Sequence, residues 1–454
     1  MKEYTKELAA WAASVKYADI PYPVISMMKK CLLDTLGCAV AGSERYEIRN
    51  LIRGLMNPDE IGKADVWFEG TTAPLSTALL LNGAMNHAVE LDDLHKPSKI
   101  HAGTVIVPSI LTVGTLYKID GKELLTAMAV GYEVMLRTAI AIGVDSHRRR
   151  GWHGTATCGA FGAAASIGHI MGLDGLQMAN AFGLAGTSTG GLMAYTADGS
   201  MSKRYHAGMA AMHGYLAATS AKAGFTGPTY VFEAPDGGYG HAVSDKYDLE
   251  ELIKELGKTW HCKDMGHKFY ACCGHIHQAI DCAIKIRNEN GIKPEEIEAV
   301  KVTTYDVAGM SWGFKEPPKN TVEAQFSFPY AVSAALVDGQ AFIPQFSPER
   351  LTDPVINALA AKVTVKTDDK FTSLYPKQWA SGVEVKADGQ TYYAEVIGAK
   401  GDPVNPLSEK EIEDKFLSLS GVRFDLLKQE QMIAAVRDIE NAEDIEAIAT
   451  LMRG

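Results

Sequence analysis

Residues 153–170 read HGTATCGAFGAAASIGHI. No Asp, Glu, Lys or Arg interrupts this stretch, and Ala and Gly make up half of it. The habit continues to residue 232. In 153–232 there are two acids (Asp174, Asp198) and three bases (Lys203, Arg204, Lys222). A helix that is apolar on all sides cannot face water and belongs in the middle of a large core. Small side chains let helix axes approach closely. Ala163-Ala164-Ala165 and Ala207-Gly208-Met209-Ala210-Ala211 therefore read as positions of tight helix packing. The expected fold class is mainly α, built around this segment.

On the N-terminal side the same period recurs. Leu8, Trp11 and Val15, then Val24, Met27, Met28, Cys31, Leu32 and Leu36, predict two helices over 5–45, parted by Pro21 and Pro23. Residues 74–91, 104–120 and 122–143 predict buried helices. No alternation of strand and helix appears here, which disfavours a Rossmann or TIM-type fold. The pattern changes after about residue 290. Glu298–Tyr305 and Ala361–Lys366 alternate with period two, as half-exposed strands do. Val383 and Val385, then Asp388-Gly389, then Tyr392 and Ala394 give a hairpin signal. Helical period returns over 407–454. The arrangement that explains this order is a large all-helical domain built from both chain ends (1–265 and 396–454), interrupted by a smaller α+β lid domain (266–395).

Composition narrows the function. The 454 residues are 46% hydrophobic and 22% charged, as in an ordinary globular protein rather than a disordered one. The formal net charge of −11 argues against a nucleic-acid partner, which needs a basic surface. A local basic pocket for a small anion remains compatible with it. Seven cysteines without a CxxC pair point to reduced thiols and a cytoplasmic location. The N-terminus lacks the pattern of a signal peptide, and no uninterrupted apolar run reaches about 18 residues, so no membrane span is expected.

Histidine carries the chemical signal. In Glu90-Leu-Asp92-Asp93-Leu-His95-Lys-Pro-Ser-Lys-Ile-His101, two carboxylates end an apolar helix, and two imidazoles lie just beyond. A carboxylate beside an imidazole fixes its tautomer and suits it to acid/base work. A metal set of Asp92, Asp93, His95 and His101 is the weaker reading, because no helical HxxxH completes it. His153, flanked by Gly and Thr, stands at the mouth of the apolar helix, which Thr155 or Thr157 is placed to cap. His147-Arg148-Arg149-Arg150 reads as a solvated basic loop. Lys203 opens a helix in the least charged part of the chain, where an amine must be paired, lose its proton, or await an anion. Ser200-Met-Ser-Lys203 also fits S-x-x-K, but the partner motifs of a serine hydrolase are missing. Lys268 stands where the helical part gives way to the α+β part, a favoured place for a ligand cleft. Cys272-Cys273 reads as a pair of core thiols. Tyr330 reads as a packed aromatic, with a hydrogen bond into the cleft as the alternative. No phosphate-binding glycine loop is present.

Seven segments taken together are recognisable: LDTLGCAVAGS (33–43), NGAMNHAVELDD (82–93), HAGTVIVPS (101–109), GWHGTATCGAFGAAAS (151–166), DGSMSKRYHAGMAAMHG (198–214), KFYACCGHIHQAID (268–281) and AQFSFPYAV (324–332). In these the chain resembles the MmgE/PrpD family, which includes 2-methylcitrate dehydratase, cis-aconitate decarboxylase and iminodisuccinate epimerase. The resemblance implies a helical domain with an α+β lid, a homodimer, no cofactor, and a site between the domains. By motif position it carries the site onto His101, His153, Lys203, Lys268 and Tyr330, with Glu90 at the acidic position before the Asp pair. Leu94 stands where the decarboxylase branch has threonine. His101-Ala-Gly-Thr104 stands where the dehydratase branch reads HPSDN.

The expected activity is a cofactor-independent, metal-free lyase of dehydratase type. It abstracts a proton α to a carboxylate of a small di- or tricarboxylate such as 2-methylcitrate. His101 is the expected acid/base, oriented by Asp92 or Asp93. Lys203, Lys268 and His153 are expected to bind carboxylate and developing charge, with Glu90, His95 and His206 beside them and Tyr330 as hydrogen-bond donor. Epimerisation or decarboxylation of a related acid shares the carbanion step. A non-catalytic carboxylate-binding protein is the rival of another class.

Overall fold

The computed structural model describes residues 2–57, 59–60, 62–311 and 317–453. The low-charge segment supplies its centre. Helix Gly154–Ile170 packs against helices Gly103–Tyr117, Gly121–Ala141, Gly175–Ser188 and Ser202–Lys222. Small residues make this possible. A Cβ at Gly208 would lie 2.0 Å from the Leu80 carbonyl oxygen, and one at Gly214 would lie 2.3 Å from Ala163 Cβ. Any larger side chain at either point would drive the helices apart.

Among the described residues, buried apolar side chains fall into two clusters. The first runs from Leu8 to Met265 and resumes with Leu407, Ile412, Phe416 and the residues up to Met452. The second holds most of the buried apolar residues from Tyr270 to Ala394, and takes in Val89, Leu91, Leu94, Tyr195 and Leu419 from the helical part. The returning chain is clamped by helix Glu409–Ser420 against helix Tyr22–Ser43, where Gly37 admits the Phe416 ring.

The helical part carries one short hairpin, β1 (Ala64–Val66) with β2 (Thr71–Ala73). The α+β part is built on β3 (Ile297–Thr304), β4 (Val363–Thr367), β5 (Ala380–Ala387) and β6 (Gln390–Ile397), in spatial order β4-β3-β5-β6. β3 and β4 are parallel; the other pairs are antiparallel. Val300 pairs with Val363 and Val385, and Val302 with Val365 and Val383, so the apolar alternation sets the register. Asp388 and Gly389, both at positive φ, make the β5–β6 turn. Helix His277–Asn290 covers this sheet.

One helical and one loop expectation are corrected. The helix expected over 74–91 is Leu75–Asn86, and the chain then turns inward, with Glu90 in the left-handed region at φ 57°. The basic loop at 147–150 is instead the end of a short helix, Val144–Arg149, with His147 buried. Helix Gly121–Ala141 is long and apolar enough by length and composition to cross a bilayer, but Glu133 and Arg137 interrupt its apolar run and its most apolar window is 94% buried inside the protein. It carries a buried Glu133–Arg137 ion pair at 2.8 Å, and Arg137 also donates to the carbonyls of Glu251, Lys254 and Thr259. All seven cysteines are free and buried.

Candidate active site

The turn after Asn86 delivers Glu90, Asp92 and Asp93 to the interior, each with 0% exposure. Buried carboxylates need partners, and these come from distant parts of the chain. Lys203, in the first turn of helix Ser202–Lys222, places Nζ 2.5 Å from Glu90 Oε1. Lys268 donates to Glu90 Oε2 and to the Glu90 carbonyl, both at 3.1 Å. Arg204 stands 4.0 Å from the same carboxylate. Burial opposes ionisation of Glu90, but Lys203, Lys268 and Arg204 outweigh it and hold the carboxyl well below its usual range. Burial also lowers the Lys203 ammonium, only partly offset by Glu90. For Lys268 the pull of Glu90 and Asp92 exceeds the burial cost, so this amine stays charged. Two ammoniums thus share the Glu90 carboxylate, with Asp92 as a second negative charge close to Lys268.

His101 is fixed by the next turn. Its Nδ1 lies 2.9 Å from the Asp93 carbonyl oxygen and 2.6 Å from Asp92 Oδ2. Both neighbours are acceptors, so Nδ1 carries the proton and Nε2 keeps its lone pair. The N–H axis meets the carbonyl; the Asp92 carboxylate lies off that axis and acts as a charge. Burial keeps the imidazole below its ordinary value despite Asp92, so it is neutral near pH 7. Asp93 is a brace: it accepts from Tyr132 Oη at 2.7 Å and from Gly103 N at 2.9 Å. Burial pushes the Asp93 carboxyl up to about 7. From below, Lys415 pairs with Asp34 at 2.6 Å and donates to the Leu91 carbonyl at 2.5 Å, which pins the loop between Glu90 and Asp92.

A cavity of about 690 Å³, counting its open mouth, lies between the helical and α+β parts. His101, His153 and Lys203 line it from the helical part, with Leu94, Ser98, Lys99, His147, Arg148 and Tyr195. Cys273, His275, Phe326 and Trp379 line it from the other. Among the described residues, no Asp or Glu does so. His153 Nδ1 is 3.1 Å from His206 Nδ1, so one ring donates to the other. Burial, then His206, hold His153 well below the usual imidazole range.

The residues singled out in the sequence thus take different places. His101, His153 and Lys203 face the cavity; Lys268, Glu90, Asp92 and Asp93 stand behind them; His206 orients His153. Several expectations are corrected. Lys268, Glu90 and His206, expected at the substrate, do not line the cavity: the Lys268 amine donates to the Glu90 carboxylate and carbonyl, and His206 meets His153. Tyr330 is fully buried in the second cluster and donates to the Gln345 carbonyl at 2.7 Å, with its ring against Phe346, so its hydroxyl is not offered to the cavity. His95 turns away too: Nδ1 meets Ser98 Oγ at 2.8 Å and the ring faces His261. Thr155 and Thr157 do not cap the helix. Thr155 Oγ1 accepts from the His101 backbone N–H, and Thr157 Oγ1 contacts His147 Nε2 at 3.0 Å.

Sequence reasoning missed Lys99, Arg148 and His87. His87 Nδ1 lies 3.1 Å from Asp92 Oδ1, and with His101 the three could offer one ligand atom each within 4.8 Å. Ligand atoms around a tetrahedral zinc stand about 3.3 Å apart. The 2.6 Å approach of Asp92 to a protonated Nδ1 does not fit that arrangement. The cluster reads as hydrogen-bonded positioning of His101 rather than a metal centre. His87 sat inside a recognised motif, and its spacing before Glu90 was the available signal.

Comparison with known proteins agrees with this architecture. The chain matches the MmgE/PrpD N-terminal domain over residues 6–252 and the MmgE/PrpD C-terminal domain over 270–441. Cis-aconitate decarboxylase of Aspergillus terreus is 27% identical over 99% of this chain and 95% of its own. Human cis-aconitate decarboxylase is 25% identical over 100% and 95%. The 2-methylcitrate dehydratase of Escherichia coli strain K12 is 23% identical over 81% and 79%. With both domains matched in order along one polypeptide, the chain belongs to the MmgE/PrpD family.

Proposed function

We propose that the protein is a lyase acting on a small tricarboxylate, by proton transfer at the carbon α to a carboxylate. The observation that carries this reading is the lining of the cavity: ammonium, guanidinium and imidazole groups, with no carboxylate among the described residues. Such a hollow repels cations and holds a polyanion. Lys203, the ammonium of the inner cluster that lines the cavity, takes the carboxylate next to the reacting carbon, and His153 hydrogen-bonds it. As the α proton leaves, charge spreads onto that carboxylate, where the fixed ammonium stabilises it. His101 Nε2 takes the proton. The Asp93 carbonyl holds the tautomer, and the Asp92 charge stabilises the imidazolium that forms.

In dehydration the β C–O bond then breaks, a C=C bond forms, and the imidazolium returns its proton to the departing hydroxide as water. The favoured version is dehydration of an acid such as 2-methylcitrate, because Leu94 brings an apolar side chain to the cavity where the decarboxylase branch has a hydroxyl. The second version is decarboxylation of an acid such as cis-aconitate, supported by decarboxylase relatives that align along nearly the whole chain. There His101 has to start protonated, having taken a proton from solvent: the C–C bond to a carboxylate breaks, CO2 departs without the bonding electron pair, that pair shifts the C=C bond, and the carbanion formed at the far carbon takes the imidazolium proton.

Incubation with 2-methylcitrate, citrate, cis-aconitate and iminodisuccinate separates the versions. Ultraviolet absorbance of a conjugated alkenoate marks dehydration, and release of CO2 marks decarboxylation. Inversion without net loss marks an epimerase and refutes the lyase. Thermal stabilisation by one acid with no conversion of any marks a binding protein and refutes the enzyme.

A further inference from the structure

The cationic groups of the cavity fall into two neighbourhoods. The inner one surrounds Glu90 and has been described. The outer one is formed by Lys99, Arg148 and an aromatic wall from the α+β part. Lys99 is at φ 56° in the tight turn that closes the His95–Ile100 bridge, and it lines the cavity. Its Nζ is buried and has no hydrogen-bond partner among the described residues. It lies 4.5 Å from the centre of the Tyr375 ring. Two carboxylates are near enough to influence it, Asp145 and Asp306, and both are already engaged by Arg149 at 2.8 and 2.9 Å. Arg148, Arg149, His147 and His275 are its other titratable neighbours. Burial, resisted by the two acids, pushes the Lys99 ammonium down to about 7. A second observation points the same way. Trp379 lines the cavity, and its indole N–H is buried without a partner, as is the Tyr375 hydroxyl. Donors from both parts of the protein therefore lack an acceptor at one end of one hollow. A core amine of purely structural use would be paired, since an unpaired buried charge is costly.

We propose that Lys99 and Arg148, with the Trp379 N–H, form a second carboxylate subsite that holds a substrate carboxylate remote from the reacting carbon. The inference rests on the proposed function and deepens it: the substrate is an acid long enough to place one carboxylate at Lys203 and another at Lys99. Because the second anchor combines groups from the helical and the α+β parts, a bound acid ties the two parts together. Specificity for tricarboxylates over shorter acids then resides in Lys99 and Arg148, outside the inner charge cluster.

The test is calorimetric binding of tricarballylate, an unreactive tricarboxylate, to the wild type and to Lys99→Met, Arg148→Gln and Lys203→Met. Loss of a charge-assisted contact should weaken binding about tenfold in Lys99→Met and in Arg148→Gln. Lys99→Met should melt at or above the wild-type temperature, because among the described residues no hydrogen bond is lost and the buried amine that gives up its contact with the Tyr375 ring is replaced by an apolar side chain. Wild-type affinity in Lys99→Met and Arg148→Gln, with binding lost in Lys203→Met, would overturn the subsite and leave the proposed function intact. A lower melting temperature of Lys99→Met with unchanged affinity would assign Lys99 a structural role and overturn it as well. Failure of the wild type to bind tricarballylate would overturn both readings.

Discussion

The two ends of the cavity handle buried positive charge in opposite ways. At the inner end every charge meets an opposite one: Lys203 and Lys268 share Glu90, and Lys415 pairs with Asp34. At the outer end Lys99 lies over an aromatic face and has no hydrogen-bond partner among the described residues, while the two acids near it are engaged by Arg149. The inner cluster is buried, with Lys203 at the cavity wall, and its charges are paired within the protein. The outer amine is held by the fold of a turn, and in the proposed subsite its direct counter-charge comes from a bound acid. The contrast separates groups that hold the site together from groups that recognise what is bound.

The largest expected effect breaks the inner end. Glu90→Gln leaves two ammoniums facing each other in a dry interior. Removing one partner of a buried ion pair costs about 3–5 kcal/mol, so urea unfolding should show a loss of that order. A loss below about 1 kcal/mol would mean that the pair is solvated and worth no more than a surface salt bridge. Lys99→Met at the outer end is expected to show no loss, so the two variants together measure the contrast.

A smaller effect is expected at the prop. Lys415→Met frees the Leu91 carbonyl and leaves Asp34 without its ammonium. Burial already pushes the Asp34 carboxyl up to about 6 despite Lys415, so protonation limits the damage. A cost of roughly 1–3 kcal/mol is expected for the orphaned groups. A fall in kcat should accompany it, because Leu91 lies between Glu90 and Asp92. Unchanged kcat would show that the loop keeps its place without Lys415.

The smallest effect concerns pH. Burial holds His87, His95, His147 and His267 neutral, each lowered to about 3. An unfolded histidine titrates near 6.5, so between about 3 and 6.5 the unfolded chain binds more protons than the folded one. Stability from these four groups is complete above 6.5 and is lost as pH falls. Asp93 and Asp34 act in the opposite sense, since their raised values favour the folded form as pH falls toward 4. Four histidines against two acids predict a melting temperature several degrees lower at pH 5 than at pH 7. A higher value at pH 5 would give the buried acids the larger share.

Much of the fold was legible because its signals are local. The scarcity of charge over 153–232 marked the central helices, and the valine alternation marked β3, β4 and β5. The helix over 74–91 was overdrawn because apolar composition continues past Asn86; what ends the helix is the inward turn, which buried partners as distant as Lys203, Lys268 and Lys415 hold in place. The lining of the cavity was legible where motif and chemistry coincide, at His101, His153 and Lys203. Tyr330 shows the opposite case: motif position gives a place in the chain, not the direction of a hydroxyl. Arg148 was read as solvated because a run of three arginines hides the one that turns inward. Lys99 gave no signal, since nothing in its neighbours announces a lysine in the left-handed region beneath an aromatic ring.

The central claim is that His101 Nε2 exchanges a proton with the carbon α to a carboxylate held at Lys203. Proton NMR in D2O, with the acid that is converted, follows that carbon directly. Wild type should wash deuterium into the α position of unreacted or reverse-formed acid, and His101→Asn should slow this by roughly 10²–10⁴ while still binding the acid. Deuterium incorporation at the wild-type rate in folded His101→Asn would contradict the account.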